Sequence, residues 1–311
     1  MTAVARKHHP APRWRQSPPI ADRLLGWYDQ RHRDLPWRVA AGSIADPYAV
    51  WLSEVMLQQT TVKAVVPYYR EFLARWPTVT ALAAADRDDV MRVWAGLGYY
   101  SRARNLHACA KAVVELHGGV FPRHEAELLK LPGVGPYTAA AIAAIAYGEP
   151  TTPVDGNVER VVSRLFAVET PLPEAKPELR GLAASLTPGQ RTGDYAQAMM
   201  DLGATVCTPR RPSCMMCPIE VDCIAKARGI AEVLPYRSPK GDRPLRRGAA
   251  FVALNETGEV LLRQRPEEGL LAAMMEVPTT EWSEDWPGGA EAFRVAPLRA
   301  NWWQVPAPIS H

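Results

Sequence analysis

The sequence predicts a mainly α protein that turns α+β in its last part, and three observations carry that reading. Apolar residues recur at helical spacing from Ile20 to Val168, and no persuasive strand pattern precedes residue 248. Alternation suited to strands begins at Ala249–Leu254 and resumes, after a turn at Asn255–Gly258, over Glu259–Arg265, which reads as a β-hairpin. Between them lies a Pro- and charge-rich stretch, 229–247, expected to be a flexible, exposed linker. At 311 residues the chain is long enough for two domains.

Taken in order, residues 1–18 are basic and Pro-rich and are read as a disordered lead-in. An amphipathic helix is expected over Ile20–His32, followed by RDLPWR, a Pro-broken loop carrying Trp37 and Arg38. Helices are then expected at Tyr48–Thr60, Lys63–Trp76, Asp86–Trp94, Ser101–His117 and Glu125–Leu129. LPGVG at 131–135 is a sharp turn, because Gly133 and Gly135 free the backbone, and Pro136 suits the first position of the Ala-rich helix Tyr137–Tyr147. Amides at such a helix start favour an anion such as a DNA phosphate, although the same pattern also serves as a plain tight turn. Pro150 and Pro153 end that helix. Asp155 then enters a second one, Val158–Val168, either as its N-cap or as a catalytic carboxylate.

The formal charge is +3, unevenly divided. Residues 1–228 carry 27 basic and 22 acidic side chains, hence +5, and 229–311 carry 9 and 11, hence −2. That balance fits a phosphate-binding surface. No apolar run reaches membrane-spanning length, and MTAVARKHHPAPRWRQSPP lacks the apolar core of a signal peptide, so a cytoplasmic protein is expected.

Glu54 is the anomaly of its helix, set among Val50, Trp51, Leu52, Val55, Met56 and Leu57, with Gln58 on the same face. It is either a surface glutamate or the occupant of an enclosed polar cavity. Burial would raise its pKa and keep it protonated near neutrality, as a general acid requires. GLGYYSRARNL at 96–106 is either a helix cap with a solvated basic face, or a wedge of aromatic rings with Arg102 and Arg104 on phosphates.

Of the five cysteines, Cys109 stands alone in a helical stretch and reads as a buried apolar residue. Cys207, Cys214, Cys217 and Cys223 are separated by six, two and five residues. A structural zinc site usually draws on two short-spaced pairs, and only one CxxC is present. Disulfides do not suit the expected compartment. Four thiolates in a compact loop suit a 4Fe-4S cluster, which would fix Arg210 and Arg211 for phosphate contacts.

The LPGVG turn, the buried helix and VDGNV together resemble the helix-hairpin-helix DNA glycosylases of the endonuclease III superfamily, where this cysteine spacing also occurs. LPWR (35–38), WLSEVMLQQT (51–60), GLGYY (96–100), VDGNV (154–158) and MMDLGATVCTPRRPSC (199–214) resemble the MutY adenine DNA glycosylases over residues 20–280. The resemblance implies a helix-hairpin-helix glycosylase domain over 19–228, its 4Fe-4S loop at 207–223, the linker 229–247, and a truncated MutT-like (Nudix-fold) 8-oxoguanine recognition domain over 248–311.

It further implies a monomer acting on double-stranded DNA with adenine opposite 8-oxoguanine or guanine, and no membrane partner. Glu54 would protonate adenine at N7 and Asp155 would stabilise the oxocarbenium-like sugar, with Asn157 and Tyr137 assisting. Trp37, Arg38 and Gln197 would line the adenine pocket, and Leu57, Gln59, Thr60 and Tyr99 would probe the opposite base and its stack. Lyase members carry a lysine at the position of Tyr137, so base removal without strand cleavage is expected. The alternatives are an endonuclease III-like pyrimidine or thymine-mismatch glycosylase, and a non-catalytic iron-sulfur DNA-binding protein.

GLLAAMMEVPTTEW (269–282) is similar to the MutT-like domain but lacks the acidic REUxEExGU core, so pyrophosphatase activity is not expected. Ala272, Ala273 and Met275 stand where the family usually has glycines and a tryptophan. By that resemblance the sequence is expected to reach only about halfway through the domain. Apolar surface around Trp302 and Trp303 is therefore expected to be uncovered, and discrimination of 8-oxoguanine from guanine to be weaker.

Overall fold

Short polar side chains start several of the helices, and glycines stop two of them. The computed structural model describes residues 19–239, 244–266, 269, 271, 273–286 and 288–305, so the expected lead-in 1–18 lies outside the described residues. The chain divides into two units, Met1–Ser238 and Pro239–His311.

In the first unit, α1 (Ile20–Arg31) is followed by α2 (Pro47–Leu57), whose N-cap Asp46 accepts from the Tyr48 amide. Thr61 caps α3 (Val62–Arg75), Thr78 caps α4 (Val79–Ala84) and Asp86 caps α5 (Arg87–Trp94). α6 (Ser101–His117) and α8 (Pro136–Tyr147), with the short α7 (Glu125–Leu128) between them, end on left-handed Gly118 and Gly148. α9 (Gly156–Phe166) starts at Asp155, and α10 (Lys176–Leu186), α11 (Thr192–Thr205) and α12 (Ile224–Ala227) complete the unit.

The sequence reading did not anticipate α4, α10, α11 or α12. Neither α10 nor α11 has a side-chain cap, and α11 is buried almost all round from Tyr195 to Gly203, which erases the two-faced pattern that marks a surface helix.

Two large apolar cores form among the described residues, with a small third cluster of Ala167, Ala225, Ala231 and Leu234. The first gathers α2 to α8 around Trp51, Leu52, Met56, Phe72, Trp94, Leu106 and Ile142. The second joins α1 to α9, α10 and α11 through Leu24, Tyr28, Val162, Leu179, Tyr195 and Met199. Residues 230–238 are not free linker, as expected from composition, but pack on this unit. Ala231 and Leu234 are buried beside Ala225, and Ser238 donates its amide to the Leu172 carbonyl at 3.0 Å. Apolar Ile230, Ala231 and Leu234, spaced among the charges, give that segment a face to bury.

In the second unit, β1 (Arg263–Gln264) pairs antiparallel with β2 (Met275–Glu276) in the register Arg263 to Glu276. The expected turn at Asn255–Gly258 forms, with Asn255 receiving from and donating to the Glu259 segment, but only the isolated bridge Leu254–Val260 flanks it. A short helix α13 (Gly289–Arg294) follows. Phe251 packs on the Trp302 ring at 5.2 Å between centroids, while Trp303 is 83% exposed.

Candidate active site

A cavity of about 750 Å³ opens where the two cores of the first unit meet. α2 and α8 of the first core and α9 and α11 of the second contribute its wall, so each core brings one carboxylate. Glu54 comes from α2 and Asp155 from the cap of α9.

Glu54 is 6% exposed and accepts a hydrogen bond from the Tyr137 hydroxyl at 2.8 Å. Its pKa is pushed up to about 7 by burial above all; the Tyr137 bond pulls it down, the Asp155 charge pushes it up, and Arg38 pulls it down. Near neutrality the carboxyl therefore retains a proton to give away. The Tyr137 phenol is raised in turn, first by burial and then by Glu54, so it stays a neutral donor.

Asp155 is an N-cap, one of the two roles that the sequence leaves open, and it also lines the cavity. Its Oδ1 accepts from the Asn157 and Val158 amides at 2.9 and 2.8 Å, which is an N-cap, while Oδ2 takes the Asn157 side-chain amide at 2.7 Å and the residue faces the cavity. Four fixed elements thus hold one carboxylate: two backbone amides, Asn157, and the helix that carries them.

Asn157 is itself anchored. Arg160 donates to Asn157 Oδ1 at 2.8 Å, to the Gly203 carbonyl at 2.7 Å and to the Cys207 carbonyl at 2.7 Å, linking the cavity to the cysteine loop. Gly203 permits that packing, because a Cβ there would lie 2.6 Å from the Asn157 Cβ.

On the opposite wall, Arg38 forms a two-pronged pair with Asp201 at 2.5 and 2.7 Å, and Arg33 adds its Nε and its amide to the same carboxylate. Asp201 is fully buried. Burial alone would raise its carboxyl, but the Arg38 fork and the Arg33 amide and charge outweigh it and hold the pKa below the usual range. Trp37, Arg38, Leu57, Gln59, Thr60, Gly133, Gly135, Tyr137 and Gln197 all line the cavity with the carboxylates, as does Asn157.

Tyr99 is not in that wall; it stands 57% exposed on its own loop with a left-handed φ of 50°, and Gln59 is left-handed too, at 56°. Gly133, at φ 70°, admits no other residue without contact, since a Cβ would meet Asn105 at 2.6 Å. Arg102, read from sequence either as part of a solvated basic face or as a phosphate contact, is buried instead, its guanidinium turned inward to carbonyl groups.

Cys207, Cys214, Cys217 and Cys223 line one small apolar-walled cavity of about 30 Å³ with Arg164 and Ala231. Arg164 donates to Cys207 Sγ at 3.3 Å and to the Thr208 and Pro209 carbonyls, and an ion pair between Arg23 and Asp222 ties α1 to the same loop. Among the described residues no three metal-binding side chains converge as ligands of one ion. Four cysteines around one small space are a donor set that an iron-sulfur cluster can use. Arg210 and Arg211 lie exposed within the first cysteine interval.

Arg160, Asp201 and Gly203 were not singled out from sequence. The signal for two of them was present: Asp201 breaks an apolar run, Ala198 to Leu202, as Glu54 does, and Arg160 interrupts the apolar face of Val158, Val161, Val162 and Leu165.

The helical body, its glycine turn and the paired carboxylates define a class: residues 52–183 match the HhH-GPD superfamily of base excision DNA repair proteins. The fold is shared with a thermostable thymine-DNA glycosylase, at TM-score 0.60 and 29% identity over 67% of this chain and 95% of that one. A non-covalent endonuclease III–DNA complex shares it at TM-score 0.56 and 24% identity over 68% and 94%.

Adenine DNA glycosylase of Mycobacterium tuberculosis is 37% identical over 85% of this chain and 82% of its own, and that of Homo sapiens is 41% identical over 93% and 62%. The chain belongs to the adenine DNA glycosylase family. It spans about three fifths of the length of the human, rat and mouse relatives, at 62%, 64% and 59%.

Proposed function

We propose that this chain removes adenine mispaired with 8-oxoguanine or guanine from double-stranded DNA, hydrolysing the N-glycosidic bond in base excision repair. One observation carries the reading: a buried glutamate whose pKa is pushed up to about 7 shares a cavity roomy enough for an extruded nucleotide with a firmly held aspartate. Adenine leaves poorly as an anion. Glu54 gives its proton to N7, the C1′–N9 bond breaks with its electron pair going to the purine, and positive charge grows on the sugar. Asp155 stabilises that charge from a position fixed before the reaction, and water completes the hydrolysis at C1′. Tyr137 and Asn157 orient the two carboxylates.

Trp37, Arg38 and Gln197 are assigned to the flipped base; Leu57, Gln59, Thr60 and Tyr99 to the gap it leaves and the opposite base. Amides of the Gly133–Gly135 turn, with Arg210 and Arg211, are assigned to phosphates. Cys207, Cys214, Cys217 and Cys223 would hold a 4Fe-4S cluster, whose chemistry there is to fold and charge the loop. Residues 248–311 are assigned to 8-oxoguanine recognition, on a protein acting as a monomer. Among the described residues no helix is long and apolar enough to cross a membrane, and the proposed place of action is the bacterial-type cytoplasm, at the nucleoid.

Single-turnover excision tests this on duplexes holding adenine opposite 8-oxoguanine, adenine opposite guanine, or an oxidised thymine, each worked up with and without alkali. Strand breaks on the adenine duplexes only after alkali are expected. Breaks without alkali, or on thymine lesions alone, would replace the proposal with a lyase-type pyrimidine glycosylase. Binding with no excision would replace it with a non-catalytic DNA-binding role.

A further inference from the structure

Arg102 is 7% exposed near the start of α6, and its hydrogen bonds converge from two separate loops. Nη1 donates to the Val55 and Met56 carbonyls at 3.1 and 2.8 Å, closing the C-terminal end of α2, where carbonyls lack partners within the helix. Nη2 donates to Thr60 Oγ1 at 3.0 Å and to the Leu97 and Gly98 carbonyls at 3.2 and 3.1 Å. The guanidinium also lies over the Trp94 and Tyr99 rings, 5.2 and 5.4 Å from their centroids.

Each of these two loops carries a non-glycine residue in the left-handed region, Gln59 on one and Tyr99 on the other. Such conformations persist only where surroundings enforce them. A single planar group supplies that enforcement to both. Lysine, with donors radiating from one point, cannot reach both sets of oxygens in this way.

We propose that Arg102 is a positioning residue: it locks the Gln59 and Tyr99 loops into one rigid pair, so that they enter the base stack together and make adenine extrusion efficient. The inference rests on the reading that these loops probe the duplex. It assigns Arg102 no phosphate, because its Nη atoms are engaged with protein oxygens and the side chain is buried.

The test uses the whole 311-residue chain, purified with its proposed cluster, carrying Arg102→Met or Arg102→Lys. Single-turnover excision of adenine opposite 8-oxoguanine should fall by about a hundredfold, the usual consequence of misplacing a positioning element by an ångström. The salt dependence of duplex binding should stay as in wild type, because no phosphate contact is lost. When adenine faces a one-nucleotide gap, extrusion costs less and the deficit should shrink below tenfold. With 2-aminopurine beside the target site, wild type should give a rise in fluorescence on binding and the Arg102 variants should not.

A salt slope lower by about one overturns the inference in favour of a phosphate contact. So does an equal deficit on gapped and paired substrates, which marks a general structural role, or unchanged excision. If wild type excises adenine from no duplex, the functional reading fails, and the fluorescence comparison alone decides for or against the positioning role. If neither Arg102 variant folds, Thr60→Val removes one acceptor, and the same gapped-against-paired contrast must survive at smaller size.

Discussion

Replacing Glu54 by glutamine should raise stability while removing activity, and both effects should follow pH. The ordinary glutamate pKa of 4.5 becomes about 7 in the folded state. Below pH 4.5 the carboxyl is protonated in both the folded and the unfolded chain and contributes no difference. Between 4.5 and about 7 the unfolded chain gives up the proton first, so wild type loses about 1.4 kcal/mol of stability per pH unit.

Above 7 both states are ionised and the loss levels off at about 3 kcal/mol, an upper figure for a buried group that still has the Tyr137 bond. Glutamine never ionises and keeps the Tyr137 hydroxyl a partner. Thermal melts of wild type and Glu54→Gln at pH 5 and pH 8 should therefore converge at the lower pH. At the higher pH they should diverge by several degrees in favour of the variant.

In single-turnover excision, wild type should lose rate as pH rises through 7, and the variant should be nearly inactive throughout. A gap between the melts that is the same at both pH values would refute the burial argument. A wild-type rate that stays flat to pH 8.5, or robust excision by Glu54→Gln, would refute the acid role.

The remaining predictions concern what holds the site. Asp155→Asn retains a good capping side chain, so the melting temperature should move by no more than an equivalent of about 1 kcal/mol, whereas excision should fall about a hundredfold or more; a near wild-type rate would reduce Asp155 to a cap. Gly203→Ala drives a methyl into Asn157 and should destabilise by about 1–3 kcal/mol with a loss of excision out of proportion, checked by melts and single-turnover rates on the same sample. Replacing Arg210 and Arg211 together by alanine should lower the salt slope of duplex binding by about two, and an unchanged slope would remove both from the phosphates.

Much of this site was legible in the sequence, because its chemistry shows as local contradiction. A glutamate inside an apolar helix, a glycine pair before an Ala-rich helix, and an aspartate between a proline and a helix all announce themselves within a few residues. Arg102 was misread for the opposite reason. A basic residue at the start of an amphipathic helix belongs by default to solvent, and the oxygens that draw it inward lie 46 and 47 positions earlier in the chain, on Met56 and Val55. Gly203 was missed likewise, since its meaning resides in the close meeting of α11 with Asn157 at the start of α9. In the second unit the turn was legible, while its flanking strands reduce to short pairings that alternation alone overstates.

The two apolar cores have a consequence for when the protein can act. The second core takes α1 from the beginning of the chain and α9 to α11 from far downstream, so the first core is in effect an insertion within it. A ribosome that has delivered residues 20–147 has made everything the Glu54 half requires, yet the cavity still lacks a wall. Only when α11 emerges and closes on α1 does Asp155 gain its anchored neighbours and Arg38 its partner Asp201. Shorter nascent chains would thus lack the assembled pair of carboxylates, and the proposed base excision would wait until α11 has closed the cavity.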